Sequence, residues 1–371
     1  MTATGDVVGA LPTFAVTTPW WQEVEPVVAT ARERFGIGVT ILRLLEATNE
    51  RPPGGAVTYL AELDPDVSPS DLPVQPWHGV LDDQPRRAGY ARLGGPTADL
   101  AWARGILAEH GLRLAGRPVQ VRTWNLSSLW RLPLAQGCAW LKVVPRFLAH
   151  EGELLAHVAG ENLYDADATR YLAMVSLLVA LQASWAGRVD KLPALGVPDA
   201  RAPRLGAAIM ATVERRMADL PAEDRSMLDR FARDLPERLD AIAACGLPAT
   251  LVHGDMHPGN FRGDRRALTL LDWGDSVVGH PLLDHSAFLG RVPADAAPAV
   301  RRHWARLWSD IVLGCAPERA ATLLAPVAAA RRAAVYQGFL DAIEPAEHPY
   351  HRDDPVAWLR AAATAAHAKD R

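Results

Sequence analysis

Hydrophobic positions follow a period of two in the first part of the chain and a helical period in the second. Short apolar or alternating runs predict strands in the first part, at 39–46, 56–62, 118–125, 129–132 and 139–144. Apolar positions three and four residues apart predict helices at 168–185, 204–220, 223–245, 281–289, 297–312, 318–343 and 354–369. The pattern therefore predicts an α+β fold with a small antiparallel sheet and a large helical part.

Further helices are predicted among the early strands, at 19–35, 97–110 and 147–158. Gly36 and Gly111 end the first two of these helices, as glycine commonly does. The Pro- and Gly-rich run 49–55 separates the first two strands, so these strands are predicted to form a hairpin.

Composition and charge narrow the classes of protein. The chain has 371 residues, 49% hydrophobic and 22% charged, with a formal net charge of −4, which is an ordinary globular balance. No basic excess or polybasic run indicates a nucleic acid or a membrane surface as partner. The scattered residues Cys138, Cys245 and Cys315 fit neither a disulfide framework nor a zinc site. With no signal-peptide pattern, a reducing cytoplasm is the expected location.

The stretch from Leu251 to Asp275 carries the candidate chemistry. Two short apolar runs in this stretch each end on carboxylates, and the return of the chain brings together the oxygen side chains of Asp255, Asn260 and Asp272. Phosphoryl transfer needs such a set, because one carboxylate accepts the proton of the attacking hydroxyl while an amide oxygen and a second carboxylate hold magnesium on the phosphates. The alternative interpretation is a polar loop between two strands, where turns favour Asp and Asn.

The segment His253-Gly254-Asp255, with Asn260 five residues later, resembles the catalytic loop of the aminoglycoside phosphotransferase and choline-kinase-like family of small-molecule kinases. Asp272 resembles the metal-binding Asp that protein kinases carry in their Asp-Phe-Gly element. The resemblance implies Asp255 as the catalytic base, His253 as a residue that braces the loop, and Asn260 and Asp272 as Mg²⁺ ligands. It also implies a protein-kinase-like two-lobed fold, with a small antiparallel-sheet N-lobe and a large helical C-lobe.

The resemblance covers about residues 117–289 and divides the chain into three parts. Residues 1–116 are an α/β extension for which packing support is the expected role. Residues 117–165 form an abbreviated N-lobe, and residues 166–371 form the helical C-lobe with the catalytic loop.

Two further residues lie near the catalytic loop in the sequence. Asp284 matches an acid that the resembling family carries just beyond the metal-binding element, and it is expected to brace the loop around Asp272. His257 is either a third metal ligand or a solvated loop histidine, and the second interpretation is favoured.

Lys142 lies between apolar residues in a predicted strand. Since the chain otherwise uses arginine at nearly every basic position, a lysine here indicates a specific role. In the resembling family the strand lysine binds the nucleotide phosphates and pairs with a helical glutamate. Glu151 is the preferred partner and Glu153 remains open. The competing interpretation is an edge-strand lysine that faces water.

Two features depart from the family pattern. The predicted turn between the first two N-lobe strands contains no glycine, so backbone N–H groups or the hydroxyls of Ser127 and Ser128 would have to hold a phosphate. The segment 160–165 leads almost at once into the next helix, which leaves little room for two further strands and a hinge. Either adenine binds an abbreviated hinge near Leu163 and Tyr164, or nucleotide binding is impaired.

Two functions are consistent with these features. The first is an ATP- or GTP-dependent, Mg²⁺-requiring kinase of a small-molecule hydroxyl, with aminoglycosides, other amino-sugars and amino-alcohols among the acceptors. The second is a pseudo-kinase that binds a ligand or partner without transferring phosphate. The intact set Asp255, Asn260 and Asp272 favours the first function. The acidic stretch 341–354 lies where related kinases bind cationic substrates, although a solvated, charged helix end is the favoured interpretation.

Overall fold

The computed structural model describes residues 1–2, 4–148, 153–264 and 267–367, and the chain divides into two units. The first, the sheet unit, comprises Met1–His157 and Phe339–Arg352. The second, the helical unit, comprises Val158–Gly338 and Asp353–Arg371. Along the chain, the first boundary between the units falls between His157 and Val158.

The sheet unit contains two antiparallel sheets and two helices. In chain order its elements are α1 (Glu25–Phe35), β1 (Val39–Ala47), β2 (Val57–Leu63), α2 (Gly95–Glu109), β3 (Val119–Trp124), β4 (Ser127–Pro133), β5 (Cys138–Val143) and β6 (Glu153–Ala156). β1 and β2 form a hairpin, and the other sheet has the order β3-β4-β5-β6. The five predicted strands are confirmed to within two residues. α1 starts six residues later than predicted and ends as predicted at Gly36, which has φ 70°.

One buried amide joins the two sheets. The side chain of Gln120 on β3 is 3% exposed; its Nε2 donates to the carbonyl of Ile41 on β1 at 2.7 Å, and its Oε1 accepts the Ile41 N–H at 2.8 Å. One side chain therefore satisfies both a buried backbone N–H and a buried C=O. Removing it would leave both groups without a hydrogen-bond partner and would lower the stability of the fold. This pair explains why the N-terminal residues fold onto the later strands.

The helix predicted for 147–158 is wrong. The described part of this segment contains a 3₁₀ turn at Arg146–Leu148 and then β6, which pairs antiparallel with β5. Lys142 lies opposite Glu153 in this pairing. The residues Glu153 to Ala156 extend the sheet by one strand, and the backbone hydrogen bonds that β6 gains along β5 replace those of the predicted helix. Glu151 lies outside the described residues.

A helix does cover the sheet, but it comes from the N-terminal part of the chain. Ala103 and Leu107 of α2 pack in one apolar cluster with Leu141 and Val143 of β5. Because side chains alternate along a strand, Lys142 points to the other face of the sheet.

The segment 339–352 belongs to the sheet unit and is not a solvated acidic end. Glu344 and Glu347 are 3% and 4% exposed. Arg87 donates to Glu344 from Nη2 at 2.8 Å and from Nε at 3.1 Å to each carboxylate oxygen. Oε2 of Glu347 has no hydrogen-bond partner among the described residues. Burial, and secondarily the charge of Glu344, raises the pKa of Glu347 to about 8.

The helical unit carries seven helices and five short strands in its described part. In chain order these are β7 (Glu161–Asn162), α3 (Ala168–Trp185), α4 (Ala202–Arg216), α5 (Ala222–Ala243), β8 (Thr250–Val252), β9 (Phe261–Gly263), β10 (Leu268–Leu270), β11 (Val277–Gly279), α6 (His285–Leu289), α7 (Ala297–Ile311), α8 (Pro317–Ala342) and α9 (Asp354–His367). The order β10-β9-β7 makes one small sheet, and β8 pairs with β11. The seven helices predicted from residue 168 onward are found, and Pro236 lies inside a continuous α5. In the segment 160–165, where little room was expected for further strands, the two-residue strand β7 pairs with β9.

Helix α3 anchors both arms of the catalytic stretch. Gln182 on α3 is fully buried, and its Nε2 donates to the carbonyl of Pro281 at 3.0 Å. The hydroxyl of Thr250, at the start of β8, donates to the backbone carbonyl of the same glutamine. The strand before the catalytic loop and the segment after β11 are therefore fixed to one helix.

Within the described residues, no single helix has the length and apolar character needed to cross a membrane. By length and composition alone, α3 taken together with Val189–Leu195 would meet that requirement, with a bend of 80° between them.

Replacing Glu347 by glutamine is expected to raise the melting temperature at pH 8 and not at pH 5. The folded protein keeps the Glu347 proton up to about pH 8, whereas the unfolded chain releases it above about pH 4.5. Between these values the folded state binds more protons, so the wild type loses stability as the pH rises. Glutamine does not ionise, and a gain of at least about 2 °C is expected at pH 8. Thermal denaturation at both pH values measures this.

The matched control is Glu344→Gln. It is the same chemical change three residues away, but it removes the carboxylate paired with Arg87, so it should lower the melting temperature at both pH values. An equal gain from Glu347→Gln at pH 5 and pH 8 would contradict the assignment of a raised pKa.

Candidate active site

A single buried carboxylate holds the start of the catalytic loop. β8 runs into His253, whose backbone N–H donates to Oδ2 of Asp284 at 3.0 Å, and the N–H of Gly254 donates to Oδ1 at 2.9 Å. Asp284 is 1% exposed, and burial raises its pKa, while His253, Arg331 and the two backbone donors act in the opposite direction. Asp284 is thus a brace, as its sequence position indicated, but it braces the catalytic loop itself and not the backbone around Asp272.

The imidazole of His253 connects the two halves of the site. The ring is fully buried: Nδ1 accepts the backbone N–H of Asp255 at 3.4 Å, and Nε2 lies 2.9 Å from the carbonyl of Leu271. A carbonyl accepts only, so Nε2 carries the proton and the ring is in one defined tautomer. The ring of Trp273 lies 4.7 Å from the His253 ring, centroid to centroid. His253 therefore positions the backbone of Asp255 relative to the residue that precedes Asp272.

Asn260 is tied into the same network. Its Nδ2 donates to the carbonyl of Asp255 at 2.8 Å, and its own carbonyl accepts the N–H of Leu271 at 2.8 Å. Its side-chain Oδ1 is then the atom through which it would bind a cation. Asp272 has φ 62° and ψ 64°, the left-handed region that costs a non-glycine residue about 1–2 kcal/mol. Such strain is typical of functional residues that the surroundings hold in place.

Gly254 lets two loops approach each other closely. Its φ is +92°, and a Cβ there would lie 2.0 Å from the backbone oxygen of Asp275. Asp275 is a carboxylate that the sequence analysis did not assign. Burial raises its pKa, and the nearby charges of Asp255 and Asp272 add to the effect. The charges of Asp255 and Asp272 therefore both act on the carboxylate of Asp275.

Two adjacent arginines of α8 complete the site, and the sequence analysis missed both. Arg331 is 8% exposed; its Nη1 donates to the carbonyl of Gly254 at 3.3 Å, and its Nη2 lies 3.5 Å from the carbonyl of Asp275. Nη2 of Arg332 lies 3.8 Å from Oδ1 of Asp255. A usable signal was present, because the two arginines interrupt a run of alanines in a helix that is otherwise apolar there.

His257 is a fixed residue of the loop. Its Nδ1 accepts the backbone N–H of Gly259 at 3.0 Å, and its Nε2 lies 3.6 Å from Oδ2 of Asp255. Burial lowers the pKa of His257, with the charge of Asp255 opposing that effect. The favoured interpretation of a freely solvated histidine therefore does not describe it.

The sheet unit contains the residues predicted to bind nucleotide. Ser127 and Ser128 lie in β4 and not in the turn, and they are 8% and 0% exposed. The indole N–H of Trp124 donates to Oγ of Ser127 at 3.2 Å, and that of Trp130 donates to Oγ of Ser128 at 3.0 Å. Both hydroxyls thus face indoles inside the unit and are not placed to hold a phosphate. Lys142 remains, opposite Glu153 on the adjacent strand.

The donor set fits a magnesium ion that also binds substrate phosphates. Among the described residues no three His, Cys, Asp or Glu side chains form a metal-binding group by themselves. An amide oxygen from Asn260 and a carboxylate from Asp272 are hard oxygen donors, and Mg²⁺ commonly binds one or two carboxylates plus phosphates. The two residues would supply the protein part of such a site.

Residues 134–323, just over half of the chain, match the sequence profile of the phosphotransferase enzyme family. The chain belongs to this family. The match includes the entire catalytic stretch. At the level of the family, it supports small-molecule phosphotransfer. No curated protein matches the chain in sequence.

Solved structures agree on the fold of this phosphotransferase family member. The GDP and kanamycin complex of APH(2")-IIia superposes with a TM-score of 0.51 at 13% identity, covering 73% of this chain and 99% of that one. A choline/ethanolamine kinase family protein from Mesorhizobium loti gives a TM-score of 0.50 at 14% identity, covering 73% and 96%. At such identities the likeness shows the fold alone, and it confirms the predicted α+β, protein-kinase-like fold.

Gly254→Ala is expected to abolish most phosphotransfer. The new Cβ would meet the Asp275 carbonyl at 2.0 Å, so the loop must move, and a displacement of about 1 Å at a reacting group costs on the order of 100-fold in rate. Steady-state turnover of the purified variant measures the loss.

Gly314→Ala is the matched control for this substitution. Gly314 has φ +81° and lies in the same unit, but a Cβ there meets nothing within 4 Å. It should cost about 1 kcal/mol of stability and leave turnover unchanged. Comparable turnover in the two variants would show that the close approach to Asp275 does not matter for activity.

Proposed function

We propose that the protein transfers the γ-phosphate of ATP or GTP to a hydroxyl group of a small molecule, with Asp255 as the general base. One observation carries the proposal: the backbone of Asp255 is clamped by His253 and Asn260 while its carboxylate stays 46% exposed. A fixed backbone with an open carboxylate is what a base needs to meet an incoming hydroxyl.

The reaction balances with the groups at hand. The acceptor oxygen bonds to the γ-phosphorus, the bond from that phosphorus to the bridging oxygen breaks, and the nucleoside diphosphate leaves. The proton of the acceptor hydroxyl goes to the carboxylate of Asp255. Asn260 and Asp272 would hold Mg²⁺, which neutralises charge on the transferring phosphoryl group when bound.

Lys142 is the proposed phosphate-binding residue of the sheet unit. It stands on the sheet face opposite α2, with Glu153 directly across the strand pair. Glu151, the partner preferred from the sequence, lies outside the described residues. A compact ammonium suits phosphate oxygens as a point charge. Ser127 and Ser128 are not included, because their hydroxyls accept from buried indoles.

The nucleotide and the acceptor are supported by analogy alone. One solved structure with a TM-score of 0.51 is described as a GDP and kanamycin complex, which supports a purine nucleotide as donor. Amino-sugars and amino-alcohols therefore belong in any set of acceptors to be tested. The pseudo-kinase alternative keeps both of its grounds, the short hinge and the glycine-free turn, since β7 pairs with β9 and does not extend the sheet of β5.

Asp255→Asn is expected to keep the fold and nucleotide binding but to lower kcat by about 10²–10⁴-fold, the usual contribution of general-base catalysis. The amide fits the same space and cannot take a proton. Formation of nucleoside diphosphate in the presence of a panel of hydroxyl acceptors, corrected for hydrolysis without acceptor, gives the rate. Wild-type turnover in the variant would remove Asp255 from the mechanism.

Asp272→Ala and Lys142→Ala are expected to separate the metal and the phosphate contributions to nucleotide binding. Loss of the Asp272 carboxylate should move the Mg²⁺ midpoint to higher concentration, since a carboxylate binds a hard cation better than an amide does. Loss of Lys142 should weaken nucleotide affinity while the Mg²⁺ midpoint stays in place. Calorimetric titrations of nucleotide at several Mg²⁺ concentrations distinguish the two effects. Identical behaviour of both variants and the wild type would count against these roles.

A further inference from the structure

An arginine stands against the carboxylate that the proposed function assigns as base. The distance from Nη2 of Arg332 to Oδ1 of Asp255 is 3.8 Å, and the Arg332 side chain is 25% exposed. An acceptor hydroxyl must come within about 2.6–3.2 Å of the same carboxylate to give up its proton. Whatever the acceptor carries beside that hydroxyl is therefore within reach of the guanidinium.

Stacking on an indole holds this guanidinium in place. The guanidinium carbon of Arg332 lies 4.7 Å from the ring centre of Trp358 on α9. An arginine over a tryptophan face is attracted by the ring and loses freedom to swing away. The Arg332 charge is thus a fixed feature of the acceptor side of Asp255, and an indole beside it is a surface on which a sugar ring can pack.

Charges of both signs surround Arg332. Arg331 adds a second positive charge, although its guanidinium is directed to the backbone of Gly254 and Asp275. On the acidic side, Asp354 lies near Tyr336, whose pKa is raised to about 12 by burial first and then by Asp354 and Asp255. Of the other acids in the C-terminal stretch, Glu344 and Glu347 are buried in the sheet unit. Glu344 and Glu347 therefore do not supply the acidic surface that a polycationic acceptor would need.

We infer that the acceptor is a neutral or anionic polyhydroxyl compound, a sugar, polyol or sugar acid, recognised beside its reacting hydroxyl by Arg332 stacked on Trp358. The inference rests on the proposed function and narrows its acceptor. An ammonium group beside Arg332 would face a like charge, whereas a hydroxyl or carboxylate accepts hydrogen bonds from the guanidinium. Aminoglycosides and amino-alcohols become poor acceptors on this assignment.

The test is a panel of matched compounds: neutral sugars and polyols, the corresponding sugar acids, and the corresponding amino-sugars, with kanamycin and choline among the cations. Phosphotransfer is measured with wild type and with Arg332→Glu, Arg332→Lys and Arg360→Glu. Binding of the same compounds to Asp255→Asn and to Asp255→Asn with Arg332→Glu is measured by calorimetry. The binding arm gives a readout that does not depend on turnover.

The wild type should use the neutral or anionic member of each matched set best. Arg332→Glu should raise KM for those acceptors by about 10- to 100-fold, the loss expected for hydrogen bonds to a charged group, and should narrow or invert the preference over the amino analogue. Arg332→Lys, which keeps the charge without the planar fork, should recover part of the loss. Arg360→Glu is the matched control, because Arg360 lies on α9 near Trp358 in sequence but pairs with Asp224 at 2.7 Å.

The outcomes separate the inference from the proposed function. Kanamycin, choline or an amino-sugar as the best acceptor would overturn the inference and leave phosphotransfer standing, as would an unchanged preference in Arg332→Glu. Arg332-dependent binding of neutral or anionic compounds without any phosphotransfer would support the inference and overturn the proposed function. If no compound of the panel binds to wild type or to Asp255→Asn, the inference is overturned as well.

Discussion

The pair of hydrogen bonds from His253 and Gly254 to the carboxylate of Asp284 is the contact on which the site depends. Each of these N–H groups leaves β8 at the point where the strand ends, so neither has a ladder partner, and each would cost about 1–3 kcal/mol if buried without an acceptor. One carboxylate satisfies both. It does so from the start of α6, which means that the catalytic loop is fixed to the helical framework and not to another loop.

The same contact sets the charge balance of the site. A buried carboxylate is costly, and burial alone raises the pKa of Asp284; two donors, His253 and Arg331 favour its ionised form. Arg331 in turn donates to the carbonyls of Gly254 and Asp275. The catalytic loop, Arg331 of α8 and the backbone of Asp275 are therefore parts of one electrostatic network. Removing Asp284 or Arg331 would leave a buried charged or polar group without its partner.

The sequence predicted the parts of this arrangement that depend on local pattern. Strand ends that carry Asp255, Asn260 and Asp272 are visible because short apolar runs precede polar loops, and the structure joins the three through Asn260 and Leu271. The contribution of Arg331 and Arg332 was missed for a simple reason. The helical period of a sequence shows which residues face the interior, but it does not show which residues they contact there. The interrupted run of alanines marks the two arginines as unusual, but it does not show that they contact a loop more than seventy positions earlier.

The helix predicted for the segment after β5 was wrong for a different reason, which also bears on function. Residues 153–156 have no strong strand signal of their own, and they form β6 because the edge of β5 offers unpaired hydrogen-bonding groups. The helical cover that local pattern placed there comes instead from α2, more than thirty residues before β5. Since α2 packs on the face of Leu141 and Val143, Lys142 is left on the other face with Glu153 across from it. The N-terminal residues are thus a structural condition for the lysine's orientation: without α2 the apolar face of β5 would be uncovered, and nothing would fix which way Lys142 points.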